Sequence, residues 1–496
     1  MSSGFDVRPM PSGATILDPD YLVIGSGAMG MAFSDVLLTE TDATVVLVDR
    51  HERPGGHWNH AYPFVRLHQP SSFYGVNSRA LGDDTIDRTG GNAGLYELAS
   101  GSEVMAYFDQ VLRQQFLPTG RVQHFPMCES DGGRAWRNTL SGEHYEVGER
   151  TKVVDATYLH VTVPSLRPPQ YAVAETVRCI PLNGLVGVAA PAERYVVIGA
   201  GKTGVDACLL LLGNGVDAGR ITWIMPRDPW MLDRANAQPG AAFFAATAGT
   251  VASQMEVAAT AGSIDDLFDG LEAVGALLRF DPAVRPSMYR CGTVTRAELH
   301  DLRQIRDVVR LGRVQRIEPD RILLERGTVP TDTEVVHVDC SADGLERRPV
   351  RPVFDGDRIT LQTVRACQQV FSAAFIAHVE ATYGSDAGSD VGSNAEKDAD
   401  KNERCVVVPH PNRATDWLRN LIADTANAAR WRQEPALRAW LVAARLDGFS
   451  RSRHEIGEDA EHLDILRRIG ASTAPAMANL RRLLAEAEEG DPDRQP

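Results

Sequence analysis

Residues 21–58 open with Tyr21-Leu22-Val23-Ile24-Gly25-Ser26-Gly27-Ala28-Met29-Gly30. A helical run follows, then Thr44-Val45-Val46-Leu47-Val48-Asp49-Arg50, and then Pro54-Gly55-Gly56-His57-Trp58. A short apolar, β-branched run bounded by glycines predicts a buried parallel strand. Gly25, Gly27 and Gly30 have the G-x-G-x-x-G spacing. The first allows a tight turn, the second lets the backbone approach a pyrophosphate, and the third lets helix and strand pack closely. The helix that follows points its free N–H groups and positive dipole end at the phosphates. Asp49 ends the next apolar strand, where a carboxylate can accept from ribose hydroxyls. Ser26 inside the turn and Arg50 beside the acid join these candidate contacts. A lone G-x-G-x-x-G is weak, but here strand, glycines, helix, second strand and acid fall in order, which predicts a dinucleotide-binding βαβ unit.

The chain has 496 residues, 43% of them hydrophobic and 24% charged, enough for two or three domains with ample core. A formal net charge of −15 opposes nonspecific binding to a phosphate backbone and argues against nucleic acid as a partner. Seven scattered cysteines without a Cys-x-x-Cys pair argue against a disulfide framework, a zinc knuckle or a paired redox dyad, and for a reducing cytoplasm. Residues 1–17 lack a basic region followed by an apolar run. No apolar stretch approaches the roughly 18 residues of a membrane span.

Further along, Arg194-Tyr195-Val196-Val197-Ile198-Gly199-Ala200-Gly201-Lys202-Thr203-Gly204 repeats the strand, glycines and helix, with Ile221 to Met225 as the next strand. Where the first copy has an acid, this one has Pro226-Arg227-Asp228. A cation there can pair with a 2′-phosphate, and Lys202 adds a second candidate phosphate contact. Arg227 beside Asp228 can equally be a solvated turn arginine. Residues 231–310 are Ala-rich and read as a helical excursion shaping a substrate cavity. Residues 335–342 read as a buried strand returning to the first unit, and residues 359–382 as an apolar helix with Gln362 at its start. Residues 384–403, rich in Gly, Ser, Asp and Asn, read as a mobile linker. Four helices are predicted beyond it, over 417–431, 435–446, 461–469 and 474–489.

Two nested dinucleotide units, with Gly55-Gly56-His57-Trp58 followed by Tyr62-Pro63 and Arg66, resemble the flavin-containing and Baeyer–Villiger monooxygenase superfamily over about residues 18–380. The resemblance implies an α/β fold of two Rossmann-like domains, the second inserted in the first, plus a helical C-terminal region. It implies an N-terminal arm (1–17), an FAD-binding domain (18–193 and 335–383) and an NADPH-binding domain (194–334), then the linker (384–403) and the helical region (404–496). It further implies FAD and NADPH as cofactors, a small organic substrate, dioxygen, and oxygen transfer by way of a flavin peroxide. This sequence departs from the family at three places. His68 stands where members carry Asn or Asp. The stretch Arg178 to Leu185 lacks the Phe-x-Gly-x-x-x-His signature. Ala156-Thr157-Tyr158 replaces Ala-Thr-Gly. An NAD(P)H:acceptor reductase, or a flavoprotein that binds a protein partner without catalysis, therefore stays open.

The candidate catalytic residues are His68 and Arg66. His68 can donate to the flavin edge and titrates near neutral pH, or is a loop histidine bonded to backbone. Arg66 can contact the nicotinamide or an anionic substrate, or form a structural ion pair. Candidate FAD contacts are Gly25, Ser26, Gly27, Gly30, Asp49, Arg50, Gly56, His57, Trp58 and Gln362. Candidate NADPH contacts are Gly199, Gly201, Lys202, Thr203, Gly204 and Arg227. No metal ligands are predicted.

Overall fold

The computed structural model describes residues 7–9, 15–342, 344–384, 394–457 and 459–489. The apolar runs form strands, as their β-branched composition requires. Tyr21–Ile24 lies between Val45–Val48 and Lys152–Asp155, all parallel, with Val122–Phe125 and Arg358–Thr360 outside them and the short Phe354–Asp355 strand antiparallel at one edge. The second sheet repeats the plan. Tyr195–Ile198 lies between Ile221–Ile224 and Val336–Asp339, flanked by Asp307–Val309 and Cys179–Pro181, all parallel. The architecture is therefore α/β with two Rossmann-like sheets, the second carried between the strands of the first.

The duplication reaches beyond the glycines. Asp155 pairs in register with Ile24, and Asp339 with Ile198. The Asp155 carboxylate accepts from the backbone and hydroxyl of Thr157, and that of Asp339 from the backbone and hydroxyl of Ser341. Each strand thus ends in the same Asx turn, at the same level as the glycine turn beside it. This accounts for two acids on otherwise apolar strands.

Several expectations need correction. Val336–Asp339 belongs to the second sheet, and the chain returns to the first with Phe354–Asp355 and Arg358–Thr360. An apolar strand fits either sheet, and composition does not say which. The expected helix over 359–382 begins at Gln369, after that strand and a loop. The expected helical excursion contains helices Phe244–Thr260 and Ile264–Ala273, but also strands Pro229–Asp233 and Met288–Val294, which pair in parallel. Within the expected N-terminal arm, Thr15–Leu17 pairs with His144–Val147 and Val7–Pro9 pairs with it in turn; residues 1–6 and 10–14 lie outside the described residues. Of the expected linker, 385–393 lies outside them too, but Asn394–Arg404 is a helix. Its Lys401 is 3% exposed and reaches the carboxylate of the equally buried Glu380, so a polar sequence is drawn into order by a buried ion pair. The two helices expected over 461–489 are one, Ala460–Glu489, running through Pro475. It lies along Phe244–Thr260, and this packing holds the helix across the bond that proline removes.

Among the described residues, the C-terminal helices form no core of their own. Trp431, Leu437 and Leu441 join the core of the first unit with helices Ala28–Glu40 and Gln369–Tyr383. Trp417, Leu418, Leu480 and Leu483 join the core of the insert. Among the described residues, no helix is long and apolar enough to cross a membrane.

Trp431 is the keystone of the first contact. It is 1% exposed, its ring lies 4.3 Å from that of Phe375, and its indole N–H donates to the Arg404 carbonyl at 2.8 Å. Truncating a buried tryptophan costs about 3–5 kcal/mol. Trp431→Ala should lower stability by that much in chemical denaturation, in a single transition shared by the first Rossmann-like unit. A loss below about 1 kcal/mol would show that the C-terminal helices fold apart from it.

Candidate functional site

The two glycine turns face one cleft of about 1340 Å³, lined by both Rossmann-like units and by the insert. That exceeds the roughly 300–1,000 Å³ of an ordinary small-ligand pocket. In each turn the third glycine is forced by packing. A Cβ on Gly30 would lie 1.9 Å from the Gly25 carbonyl oxygen, and one on Gly204 would lie 2.0 Å from that of Gly199. Gly25 and Gly199 have φ of +99° and +127°, a region that side chains disfavour. The middle glycines differ. A Cβ on Gly201 would meet no described atom within 4 Å, and one on Gly27 would meet only the backbone of Gly56, at 3.5 Å and beyond. The chain's own packing does not demand these two, and each leaves bare backbone at the cleft. Among the described residues no side chain caps either following helix, and neither helix has an acid in its first turn. Free N–H groups and an open approach suit a pyrophosphate at both places.

Asp49 lies at the cleft, 5% exposed. One carboxylate oxygen accepts from the backbone and hydroxyl of Ser26 at 2.7 and 2.9 Å; the other accepts from the backbone and Nδ1 of His51, both at 2.8 Å. Burial raises this carboxyl, but the donors from His51 and Ser26 outweigh it and hold it below the usual carboxylate range. His51 Nε2 lies 2.9 Å from His60 Nε2, so a two-histidine chain leads outward from the acid. Residues 51 and 60 were missed from sequence, although a histidine two positions after a strand-end aspartate is a legible turn signal.

His57 stacks on Trp58 with centroids 5.2 Å apart, and Trp58 Nε1 donates to the Tyr74 hydroxyl at 2.8 Å. Burial pushes the His57 imidazole down to about 4. With Arg50 and Gly56, both line the cleft. The loop after them crosses to the second unit, where the Tyr62 hydroxyl and Lys202 Nζ both bond the Asp206 carboxylate. Tyr62 and Phe64 pack on the second unit's core. Asp206, one helical turn after Lys202, was not singled out from sequence.

His68 also lines the cleft, and its Nδ1 is buried with no hydrogen-bond partner among the described residues. Burial first, then the Lys202 and Arg234 cations, push its imidazole down to about 3. Its carbonyl accepts from the Thr293 hydroxyl and from Arg234. Arg66 is exposed at the cleft and donates to the Leu98 carbonyl at 2.8 Å.

Lys202 and Thr203 reach the cleft beside Gly199 and Gly201. Arg227 does so too, and its guanidinium donates to Asn412 Oδ1 at 2.8 Å. Arg290 donates to the same oxygen through Nε at 3.0 Å and Nη2 at 2.6 Å. Asp228 does not pair with Arg227. It is buried and accepts from Nε and Nη2 of Arg310. Nothing near Arg290 or Asn412 in the sequence marks them. Gln362 is corrected outright. It sits in the loop before the Gln369–Tyr383 helix, 3% exposed, with its amide exchanging bonds with the Arg351 backbone, and it is absent from the cleft wall. Ser26, Gly30 and Gly204 act behind the wall through the contacts already given.

The two neutral histidines make stability depend on pH. The unfolded chain takes up protons at both below pH 6.5, whereas the folded chain resists until about 4 at His57 and about 3 at His68. Stability is therefore fully present above 6.5 and falls as pH drops toward 3. His68→Gln should flatten the fall in denaturation midpoint between pH 6.5 and 4. An unchanged slope would mean that His68 is protonated in the folded protein.

The description "NAD(P)-binding Rossmann-like domain" fits a family model matched over residues 23–68. An uncharacterized protein of Mycobacterium tuberculosis, Rv2000, is 54% identical over 440 residues, covering 89% of this chain and 79% of that protein. Among solved structures, an open cyclohexanone monooxygenase is similar at 14% identity over 78% of this chain and 92% of that one, with a TM-score of 0.48. A flavin-containing monooxygenase from Stenotrophomonas maltophilia is similar at 16% identity over 74% and 97%, with a TM-score of 0.41. At 54% identity across most of both sequences, the chain belongs to the same family as the mycobacterial protein.

Proposed function

We propose that this protein is an FAD-dependent, NADPH-using oxidoreductase and that it monooxygenates a small organic substrate with dioxygen. The observation that carries this reading is the pair of glycine cradles, built alike and opening into one cleft. We assign FAD to the first cradle, where Asp49 accepts from the ribose and Gly56, His57 and Trp58 form the wall. We assign NADPH to the second, where Lys202, Thr203 and the converging Arg227 and Arg290 favour a 2′-phosphate. When bound, FAD supplies two-electron redox chemistry and oxygen activation, and NADPH supplies the hydride.

The chain's own residues then bind, orient and keep dry. Trp58, His57 and Tyr74 exclude water from one wall. The Tyr62–Asp206–Lys202 contact fixes the two cradles relative to each other. His68, neutral at pH 7, offers an Nδ1 without a hydrogen-bond partner among the described residues to hold or pass a proton. Arg66, anchored on Leu98, positions its loop. Cytoplasmic location fits the five free thiols. A second reading, an NAD(P)H:acceptor reductase, is favoured by the Arg178–Leu185 stretch, which lacks the family signature and instead forms an edge strand, Cys179–Pro181.

The readings separate on one experiment. Holoenzyme is given NADPH and isotopically labelled dioxygen with small ketones, sulfides and amines. Monooxygenation places one labelled atom in an organic product and the other in water. Label confined to peroxide and water, with rapid anaerobic NADPH oxidation by a quinone, would establish the reductase instead.

A second test uses the open space at Gly201. Gly201→Val should fold and keep its FAD, because a Cβ there meets no described atom, while filling the approach to the second cradle. The KM for NADPH should rise about tenfold or more, equivalent to at least roughly 1.4 kcal/mol. Loss of FAD with NADPH affinity retained would reverse the assignment of the cradles.

A further inference from the structure

The sequence predicts no disulfide, yet Cys291 and Cys367 are joined across 76 residues, with Cα atoms 6.4 Å apart, while Cys128, Cys179, Cys208, Cys340 and Cys405 are free thiols. Sequence separation hid the pair, and only the fold brings it together. The bridge ties strand Met288–Val294 of the insert to the loop that opens helix Gln369–Tyr383 of the first unit. Cys367 is in the wall of the cofactor cleft, between elements that also contribute Arg290, Gly292 and Gln369 to it; Cys291 lies behind, 8% exposed.

A single bridge is not a scaffold. A chain with several buried cores does not need a staple, unlike small disulfide-dense domains. The backbone is unusual at both ends. Cys291 and Cys367 have φ of +55° and +59°, and they are two of only five non-glycine residues with positive φ among those described. Side chains held in the left-handed region are strained and collect at functional sites. Next to Cys367, the amide of Ala366 donates to the Asp424 carboxylate at 2.8 Å. Burial, opposed by that amide and by Arg365, raises this carboxyl to about 6, so an acid able to exchange a proton near neutral pH adjoins the pair.

We propose that Cys291 and Cys367 form a redox-active dithiol–disulfide couple in the wall of the cofactor cleft, an internal acceptor for a second pair of electrons. This rests on the FAD and NADPH reading above. The S–S bond breaks on taking up two electrons and two protons. NADPH supplies the electron pair and one proton as hydride, by way of FAD, and solvent supplies the other proton. The products are NADP⁺, two thiols and FAD returned to its oxidised form. Cys367 is the sulfur on the cleft side, where the electron pair enters.

The test is an anaerobic titration of FAD-loaded protein with NADPH, followed by quenching in denaturant with an alkylating tag and peptide mass spectrometry. The wild type should consume two equivalents of NADPH per chain, and tagged cysteines should rise from five to seven, the new tags on Cys291 and Cys367. Cys291→Ser and Cys367→Ser should each stop at one equivalent. Complete flavin reduction by one equivalent, with the 291–367 peptides still linked, would overturn the couple. So would two free thiols at these positions that survive mild oxidation with ferricyanide. If the protein holds no FAD, or its FAD is untouched by NADPH, the cofactor reading fails instead. Dithiothreitol on the native protein then replaces NADPH: release of both thiols without unfolding supports a reducible couple at the cleft, and resistance overturns it.

Discussion

In both Rossmann-like units the helix is pressed so hard onto the first strand that no side chain fits between the third glycine of the turn and the carbonyl of the first. That contact sets where each helix begins and therefore where its unsatisfied N–H groups point. The parallel strands beside it, each closed by an aspartate-centred turn at Asp155 or Asp339, bring a second loop to the same level. A cradle is thus the rim of a sheet, and its shape follows from a packing limit rather than from any one polar residue.

Two such rims become one site because the loop after Trp58 crosses between them. Tyr62 and Lys202 share the Asp206 carboxylate, and Phe64 packs half-buried against the core of the second unit. Burial first, and then the Asp206 charge, hold the Tyr62 phenol protonated well above its ordinary range, so it donates at any pH the fold survives. The same loop carries His68, whose imidazole is kept neutral by burial and by the Lys202 and Arg234 cations. Domain docking and cleft electrostatics are therefore one arrangement.

The fold was largely legible because its signals are local. Glycine spacing, strand length and the acid at Asp49 lie within about 40 residues of one another in the first unit, and a shorter version recurs in the second. What failed was everything set by partners distant in sequence. The run at 336–339 carries no mark of the sheet it joins. Gln362 looked available and is consumed by the Arg351 backbone. The polar helix at 394–404 is ordered by Glu380, and the Cys291–Cys367 pair is separated by the end of the insert, the rest of the second unit and the return to the first sheet. Of the candidate contacts, those inside the glycine turns and the Gly56 to Trp58 loop reach the cleft or its backing. Arg290 also reaches it, held from behind by Asn412, without any sequence motif to announce either.

The amide of Asn412 has one further implication. Its oxygen collects three donors from Arg227 and Arg290, so both guanidinium groups already have a neutral acceptor before any nucleotide arrives. An amide oxygen carries no net charge, so it draws the two guanidinium groups together and leaves their charge in place. An asparagine contributed by the C-terminal region thus holds two cations side by side without cancelling the charge of either.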